Sequence, residues 1–412
     1  MKYAVIDISS SSISMIVAAR EGEKTEVVFK ERASLSLVHY LEEEGLSARG
    51  KEKLIEMLVR FKETAAELGV ERCYLIATAA LRHVKNFGEI AASVFEGTGL
   101  TVNLIDGATE AYCDYVANLY YKTCERPVLI DLGGKSIEIC DLAKSDKQDM
   151  MCFSFGLLDL YRKFVSNIYP DEKEAKEIKR YVREKFDRAG LPGEGAFSTA
   201  VMVGASNAAI YDIYAEFSDE SETNGVRTIR RKKFKKLVRH LLTGEDRSRL
   251  VLNNAPEKLY LIGSAAIVLK YLFKRFGVEH IVVSERGVKE GYLQLVLSGE
   301  ESGAYYDFVR GSADGEARKL PEKTAARKTE KSAKRGRPKK KAEAVPVPAD
   351  GKSAKRGRPK KKAEAAPAPA DEKSTKRGRP KMKGTSEANK DAAASSDVGT
   401  VQEKPESQTK TE

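Results

Sequence analysis

The residues with the clearest chemical purpose lie between Val128 and Ile139. There V-L-I-D-L-G-G-K-S-I-E-I delivers one carboxylate, Asp131, into a glycine turn and a second, Glu138, just beyond it. Gly133 and Gly134 admit φ > 0 and let backbone N–H groups approach an anion without interference from Cβ, while Ser136 adds a hydroxyl. Such a turn can cradle a phosphate with metal-ligating carboxylates beside it; alone, it could equally be a β-hairpin closed by glycines. The chain writes it twice. Val5-Ile6-Asp7-Ile8-Ser9-Ser10-Ser11-Ser12-Ile13 aligns position for position with Leu129-Ile130-Asp131-Leu132-Gly133-Gly134-Lys135-Ser136-Ile137, so Asp7 answers Asp131. Two strand-Asp-turn-strand units predict a duplicated α/β domain with a phosphate-binding cleft between its halves.

The elements around these turns alternate strand and helix, as an α/β architecture requires. Tyr3 to Ile8 and Ser14 to Ala19 form the first hairpin, and Val27 to Ser34 continues its sheet. Leu54, Ile55, Leu58, Val59 and Phe61 fall at helical spacing within residues 46–68, before Gly69, and the chain then enters a short strand at Cys73 to Ala77. A helix is predicted around Phe87 to Phe95. A strand at Val102 to Ile105 ends in Asp106-Gly107-Ala108-Thr109-Glu110, which opens a helix towards Tyr120 and puts Glu110 in its first turn, where the helix dipole favours an anion. Beyond the second turn, 136–142 and 150–155 complete a second sheet, and 173–188 reads as a charged amphipathic helix. Ala200 to Gly204 is a strand running through Gly204-Ala205-Ser206 into another helix. Helices are expected over 233–242, 256–276 and 288–297, with a strand at 280–284. The predicted division is two α/β subdomains, residues 1–120 and 121–298, followed by a tail, 299–412.

Charge separates the tail from the body. From residue 301 onward there are 29 Lys and Arg against 17 Asp and Glu; the body before it carries 43 and 44. A near-neutral body suits a small or metal-neutralised ligand, and the basic tail suits a polyanion. The five cysteines, Cys73, Cys113, Cys124, Cys140 and Cys152, have no C-x-x-C spacing and fit a reducing cytosol. No run is apolar and long enough for a signal sequence or a membrane span. His39, His83, His240 and His280 lack metal-ligand spacing, and no Ser-His or Cys-His pairing stands out.

Ala, Lys, Pro, Glu and Ser dominate the tail, which has too little apolar area to offset ordering entropy and is predicted to be disordered. It repeats K-R-G-R-P-K at 334–339, 355–360 and 376–381, every 21 residues, with extended spacers between. The tail resembles AT-hooks. Arg335, Arg337, Arg356, Arg358, Arg377 and Arg379 would follow the narrow A·T minor groove while the lysines meet phosphates; the other reading is a generic polybasic arm for RNA or polyphosphate. Each hook alone is weak, so affinity would come from valency.

The body resembles the exopolyphosphatase and guanosine pentaphosphate phosphohydrolase (Ppx/GppA) family over residues 1–297. Five segments carry the likeness in order: V-I-D-I-x-S-x-S from Val5; A-T-A-A-L-R at 77–82 with Lys85-Asn86; G-x-x-E-A at 107–111; D-L-G-G-x-S-x-E at 131–138; and S-x-x-G-V-K-E-G at 284–291. The resemblance implies an actin-like fold of duplicated ribonuclease H-like subdomains with an interdomain cleft. It implies Mg²⁺-dependent hydrolysis of a terminal phosphoanhydride of polyphosphate or (p)ppGpp. Glu110 would orient or deprotonate the attacking water, Asp131, Glu138 and Asp7 would hold Mg²⁺, and Arg82 would bind phosphate. Ser9, Ser10, Ser11, Ser12, Gly133, Gly134, Lys135, Ser136, Gly204 and Ser206 would form the phosphate loops. Family members are often dimers, so a homodimer is implied, and the tail would place the protein in the cytoplasm at the nucleoid.

The chain also departs from the family pattern. Serines stand at 9 and 11 where glycine and asparagine are usual, and a serine at φ > 0 would be strained. Lys135 replaces a glycine, Asp159 a basic residue, and Thr109 one of two adjacent glutamates. These departures define an alternative, a catalytically impaired polyphosphate or nucleotide sensor anchored to DNA.

Overall fold

Apolar residues on both faces of the leading strand force it to be covered twice. Along β1 (Lys2–Ile8), Ala4, Ile6 and Ile8 enter one buried cluster, and Tyr3 and Val5 enter another. The computed structural model describes residues 1–317. From β1 the chain turns into β2 (Ser12–Glu21) and β3 (Lys24–Ser34), makes a small ribbon of β4 (Leu41–Glu42) and β5 (Gly45–Leu46), and enters α1 (Ala48–Glu67). Ser47 caps α1 by accepting from the Gly50 N–H at 3.2 Å, and Leu54, Leu58, Phe61 and Ala65 bury the face set by that spacing. There follow β6 (Arg72–Ala77), α2 (Phe87–Thr98), β7 (Val102–Leu104) and α3 (Gly107–Ala117).

The second half repeats the plan. It contains β8 (Pro127–Leu132), β9 (Ile137–Asp141), β10 (Met151–Phe153), α4 (Leu157–Phe164), α5 (Glu172–Arg188), β11 (Thr199–Val203) and α6 (Ala205–Ser218). Then come β12 (Arg227–Thr228), α7 (Arg231–Thr243), α8 (Arg247–Asn254), α9 (Ile262–Phe276), β13 (His280–Val283) and α10 (Val288–Ser298). The strands β14 (Tyr305–Asp307) and β15 (Ser312–Asp314) end the described chain.

One strand order serves both sheets. In the first, β3, β2 and β1 are antiparallel neighbours and β6 and β7 join in parallel; in the second, β10, β9 and β8 are antiparallel and β11 and β13 join in parallel. The duplication expected from the paired Asp turns is thus a duplication of topology. The fold class is mixed α/β of the actin-like type.

Two expectations need correction. The second subdomain does not run to residue 298, because α10 returns to pack on α3 and β1, and residues 305–314 add two strands to the first sheet beside β6. Those strands also move the start of the tail beyond residue 314. In addition, the helix expected over 256–276 opens as a 3-10 turn at Pro256–Lys258 and is α-helical only from Ile262, and α8 was not expected. The hook repeats lie outside the described residues.

The helix that matters most is α3. Its Cys113 belongs to the cluster under the first sheet, while Ala111 and Tyr115 belong to the one under the second, so α3 is wedged between the halves. Whatever its first turn carries is presented where the sheets meet.

Candidate active site

The two hairpin turns face each other across a cleft of about 290 Å³. A Cβ on Gly134 would lie 3.1 Å from Ser10 Cβ, so the turns of β8–β9 and β1–β2 approach to van der Waals distance. Neither turn uses the conformation expected of it. Among the described residues the only non-glycines at positive φ are Arg126, Asp219 and Asn224, and Gly133 and Gly134 are not among the glycines there. The serine turn carries no such strain. Ser9 closes it by donating its N–H to Ser12 O at 3.0 Å and its hydroxyl to the same oxygen at 2.8 Å, leaving Ser10 and Ser11 against the cleft. The glycines serve close approach instead. The first N–H groups of α4, from Leu157 and Leu158, bind the carbonyls of Gly133 and Gly134 at 2.9 Å. A trans peptide sets C=O and N–H on opposite sides, so the N–H groups of Gly134 and Lys135 point away from α4.

Strand register places the acids. Asp7, one residue before the end of β1, lies opposite Ser14, and Asp131 pairs directly with Glu138 across β8–β9. Like charges in such a pair repel; Glu138 is buried and Asp131 half-buried at the cleft. Burial first, then the Glu138 charge, pushes Asp131 up to about 8; burial also raises Glu138, against hydrogen bonds from Ser136 and Cys152. Asp7 is raised by burial, which Lys289, Arg32 and Arg82 oppose. A fourth acid, Asp114 on α3, was not visible as a site residue in the sequence. It is fully buried, neither carboxylate oxygen has a hydrogen-bond partner among the described residues, and burial and the charges of Asp131 and Glu138 raise it well above the carboxylate range.

Glu110 reaches the cleft from the first turn of α3, which Asp106 caps by accepting from the Thr109 N–H at 2.7 Å. Arg82 holds Glu110 Oε2 through Nη2 and donates from Nε to Ile105 O at 2.9 Å. The guanidinium therefore ties the end of β7 to the start of α3, leaving Oε1 as the oxygen free for the cleft. Arg82 lies behind the residues that line the cleft and, through these bonds, positions Glu110. Glu138 is also set back, its Oε1 accepting from Cys152 Sγ at 3.2 Å.

Gly204, between β11 and α6, has φ +82, and a Cβ there would lie 2.2 Å from Asp131 Oδ1. Gly204→Ala is expected to cost about 1–3 kcal/mol for the backbone alone and to displace Asp131 as well. A thermal midpoint unchanged from wild type would show that the turn relaxes freely.

The cleft's cations are the residues that sequence reasoning missed. Lys258, in the 3-10 turn Pro256–Lys258, is 2 % exposed and donates to Ser11 Oγ at 2.8 Å, joining the second half to the serine turn. Arg32, Arg286 and Lys289 also line the cleft, and no ion pair holds them among the described residues. Three of the cleft's acids, by contrast, are already neutralised: Glu110 by Arg82, Glu285 by Arg227 and Glu290 by Lys30. Lys135 is not a free cation, because its ammonium pairs with Asp159 at 2.6 Å. Lys289 lies in the S-x-x-G-V-K-E-G segment, but nothing near Lys258 or Arg32 in sequence marks them.

A buried acid cluster calls for a cation, yet the three expected ligands do not form a cage. Among the described residues no group of three His, Cys, Asp or Glu side chains could hold an ion. Asp7 and Asp131 both line the cleft, and Asp7 Oδ1 is buried without a partner. Two carboxylates fit Mg²⁺, which keeps waters and takes phosphate oxygens for its remaining positions.

Fold and site together define a phosphoryl-handling enzyme of the actin-like class. The sequence profile of the Ppx/GppA phosphatase family matches residues 15–299, and the chain belongs to that family. Exopolyphosphatase 1 of Mycobacterium tuberculosis is 20 % identical over 311 residues, covering 74 % of this chain and 90 % of that protein. Among solved structures, an exopolyphosphatase from Cytophaga hutchinsonii superposes with a TM-score of 0.64 at 16 % identity, covering 73 % of this chain and 98 % of its own. The Aquifex aeolicus Ppx/GppA family member gives 0.60 at 23 % identity, covering 73 % and 99 %.

Proposed function

We propose that this protein is a Mg²⁺-dependent phosphohydrolase that releases the terminal phosphate of inorganic polyphosphate or of guanosine pentaphosphate, and that its tail holds it on A·T-rich DNA. The observation carrying the reading is the arrangement of charge: Arg32, Lys258, Arg286 and Lys289 line one cleft with Asp7, Asp131 and Glu110. Unneutralised cations bind a phosphate chain, and Asp7 and Asp131 would hold the metal. Bound Mg²⁺ would neutralise charge on the phosphoryl oxygens. Glu110 Oε1 orients the attacking water and takes its proton as the new P–O bond forms. The bond to the shortened chain breaks, and that chain leaves with its oxygen. Little covalent chemistry is asked of the protein beyond this positioning.

Serines, glycines and charged residues are the most numerous in the lining and suit phosphate groups, which both substrates carry. The motives for a non-catalytic sensor also weaken. The serine turn forms without positive φ, and Lys135 is neutralised by Asp159.

Phosphate release should be measured from polyphosphate and guanosine pentaphosphate side by side, with Mg²⁺ and with a chelator. Release from either that depends on the metal supports the proposal; no release from both would leave the sensor. For the tail, duplex binding is expected to prefer A·T sequence, to fall steeply with salt, and to vanish when the six hook arginines become alanine. Binding indifferent to base composition would reduce the tail to a charge effect.

A further inference from the structure

Away from the cleft, the outer layer of the second half gathers positive charge from three helices. α5 and α7 each pack on α9 and flank it. Almost all of α9 is covered, and its two exposed residues are Lys270 and Lys274, four apart and so about 6 Å along one face. On the flanks, Lys179 of α5 and Lys235 and Arg239 of α7 are exposed. These five side chains have no ion pair among the described residues.

Ordinary solvated faces are built differently. α5 itself mixes signs, pairing Lys176 with Glu172 and Arg180 with Glu177. α7, R-K-K-F-K-K-L-V-R-H-L-L-T, carries six Lys and Arg and no acid, and α9 has none either. The charges are close enough to act on one another. Burial of its stem, then Lys179, Arg239 and Lys235, holds the Lys270 ammonium below its ordinary range. In a body whose charges otherwise balance, this concentration is a matter of placement.

We propose that the row formed by Lys270 and Lys274 between Lys179 and the pair Lys235 and Arg239 is a binding surface for the chain of long inorganic polyphosphate, separate from the cleft. The inference rests on the hydrolase reading for its choice of polyanion. A row of single exposed side chains across three adjacent helices suits a thin flexible chain, which can follow it, better than a stiff duplex. The five side chains also offer no aromatic platform on which bases would stack. A chain held here stays on the enzyme while its end is shortened.

The test uses the full chain with Lys235, Arg239 and Lys270 changed to glutamate. It is run both with the native tail and with the six hook arginines as alanine, so that the tail does not mask the surface. All three positions are exposed, and an unchanged thermal midpoint checks the fold. The KM for polyphosphate of several hundred units is expected to rise about tenfold, with kcat unchanged and kcat/KM for tripolyphosphate unchanged. Binding of fluorescent long-chain polyphosphate should weaken alike when Glu110→Gln is also present. The slope of log binding constant against log salt should fall by about two. Because the binding arm needs no turnover, lost binding in a protein that hydrolyses neither polyphosphate nor guanosine pentaphosphate supports the surface and ends the hydrolase reading. Normal hydrolysis with unchanged KM and binding does the reverse. Lost RNA or duplex binding with polyphosphate binding intact would overturn the proposal and make this a nucleic-acid surface.

Discussion

Glu110→Gln is expected to lower phosphate release by about 10²- to 10⁴-fold, the usual contribution of a positioned general base, while polyphosphate binding stays within a few-fold of wild type. Glutamine keeps the length of the side chain and an oxygen for Arg82, so the contact between α3 and the end of β7 persists. What it lacks is basicity. The informative contrast is Arg82→Met. The side chains of Arg82 and Glu110 are only 9 % and 11 % exposed, and removing the cation strands a carboxylate in that setting, at a cost of about 3–5 kcal/mol. Arg82→Met should therefore lower the thermal midpoint far more than Glu110→Gln does. Equal phosphate release by wild type and Glu110→Gln would remove Glu110 from the chemistry.

The second large effect is expected at Lys258. A buried ammonium whose only hydrogen bond among the described residues is to Ser11 is available to a phosphate, and a charged hydrogen bond of that kind contributes about 1.5–3 kcal/mol. Lys258→Met should therefore raise the KM for polyphosphate by about 10- to 100-fold. Its pH dependence has a definite sign. Burial first, then Arg32, hold Lys258 down to about 8 against an ordinary 10.5. The folded protein thus binds fewer protons than the unfolded chain between those values, so charging this lysine destabilises the fold below pH 8. That penalty fades as pH rises through the window. Wild-type stability relative to Lys258→Met should improve between about pH 8 and 10, while wild-type KM worsens above pH 8 as the cation is lost. Lys258→Arg, which stays charged, should show no such rise in KM. A KM independent of both the substitution and pH would remove Lys258 from substrate binding.

The chain's departures from its family read differently once side chains meet. Lys135 in a glycine position and Asp159 in a basic one look like two losses in sequence, yet they form one ion pair at the mouth of the second turn. Exchanging the two residues keeps the pair and should be tolerated better than either change alone. The serines of the first turn look like strain, but Ser9 closes a turn that never enters the left-handed region.

Local chemistry alone settled the repeat of Asp7 and Asp131, the placement of Glu110 in the first turn of a helix, and the alternation of strand and helix. Each follows from spacing along a strand or helix, which a one-dimensional pattern records. Tertiary structure alone decided which charges face one another. It set Lys258 against Ser11, 247 residues apart, set Arg82 as the clamp on Glu110, and drew α10 and β14 back onto the first half. No periodicity encodes those partners, because burial energy depends on what arrives from elsewhere in the chain. For the same reason Asp114 reads in sequence as one more acid on a helix, and becomes an orphaned carboxylate only when two sheets close over α3.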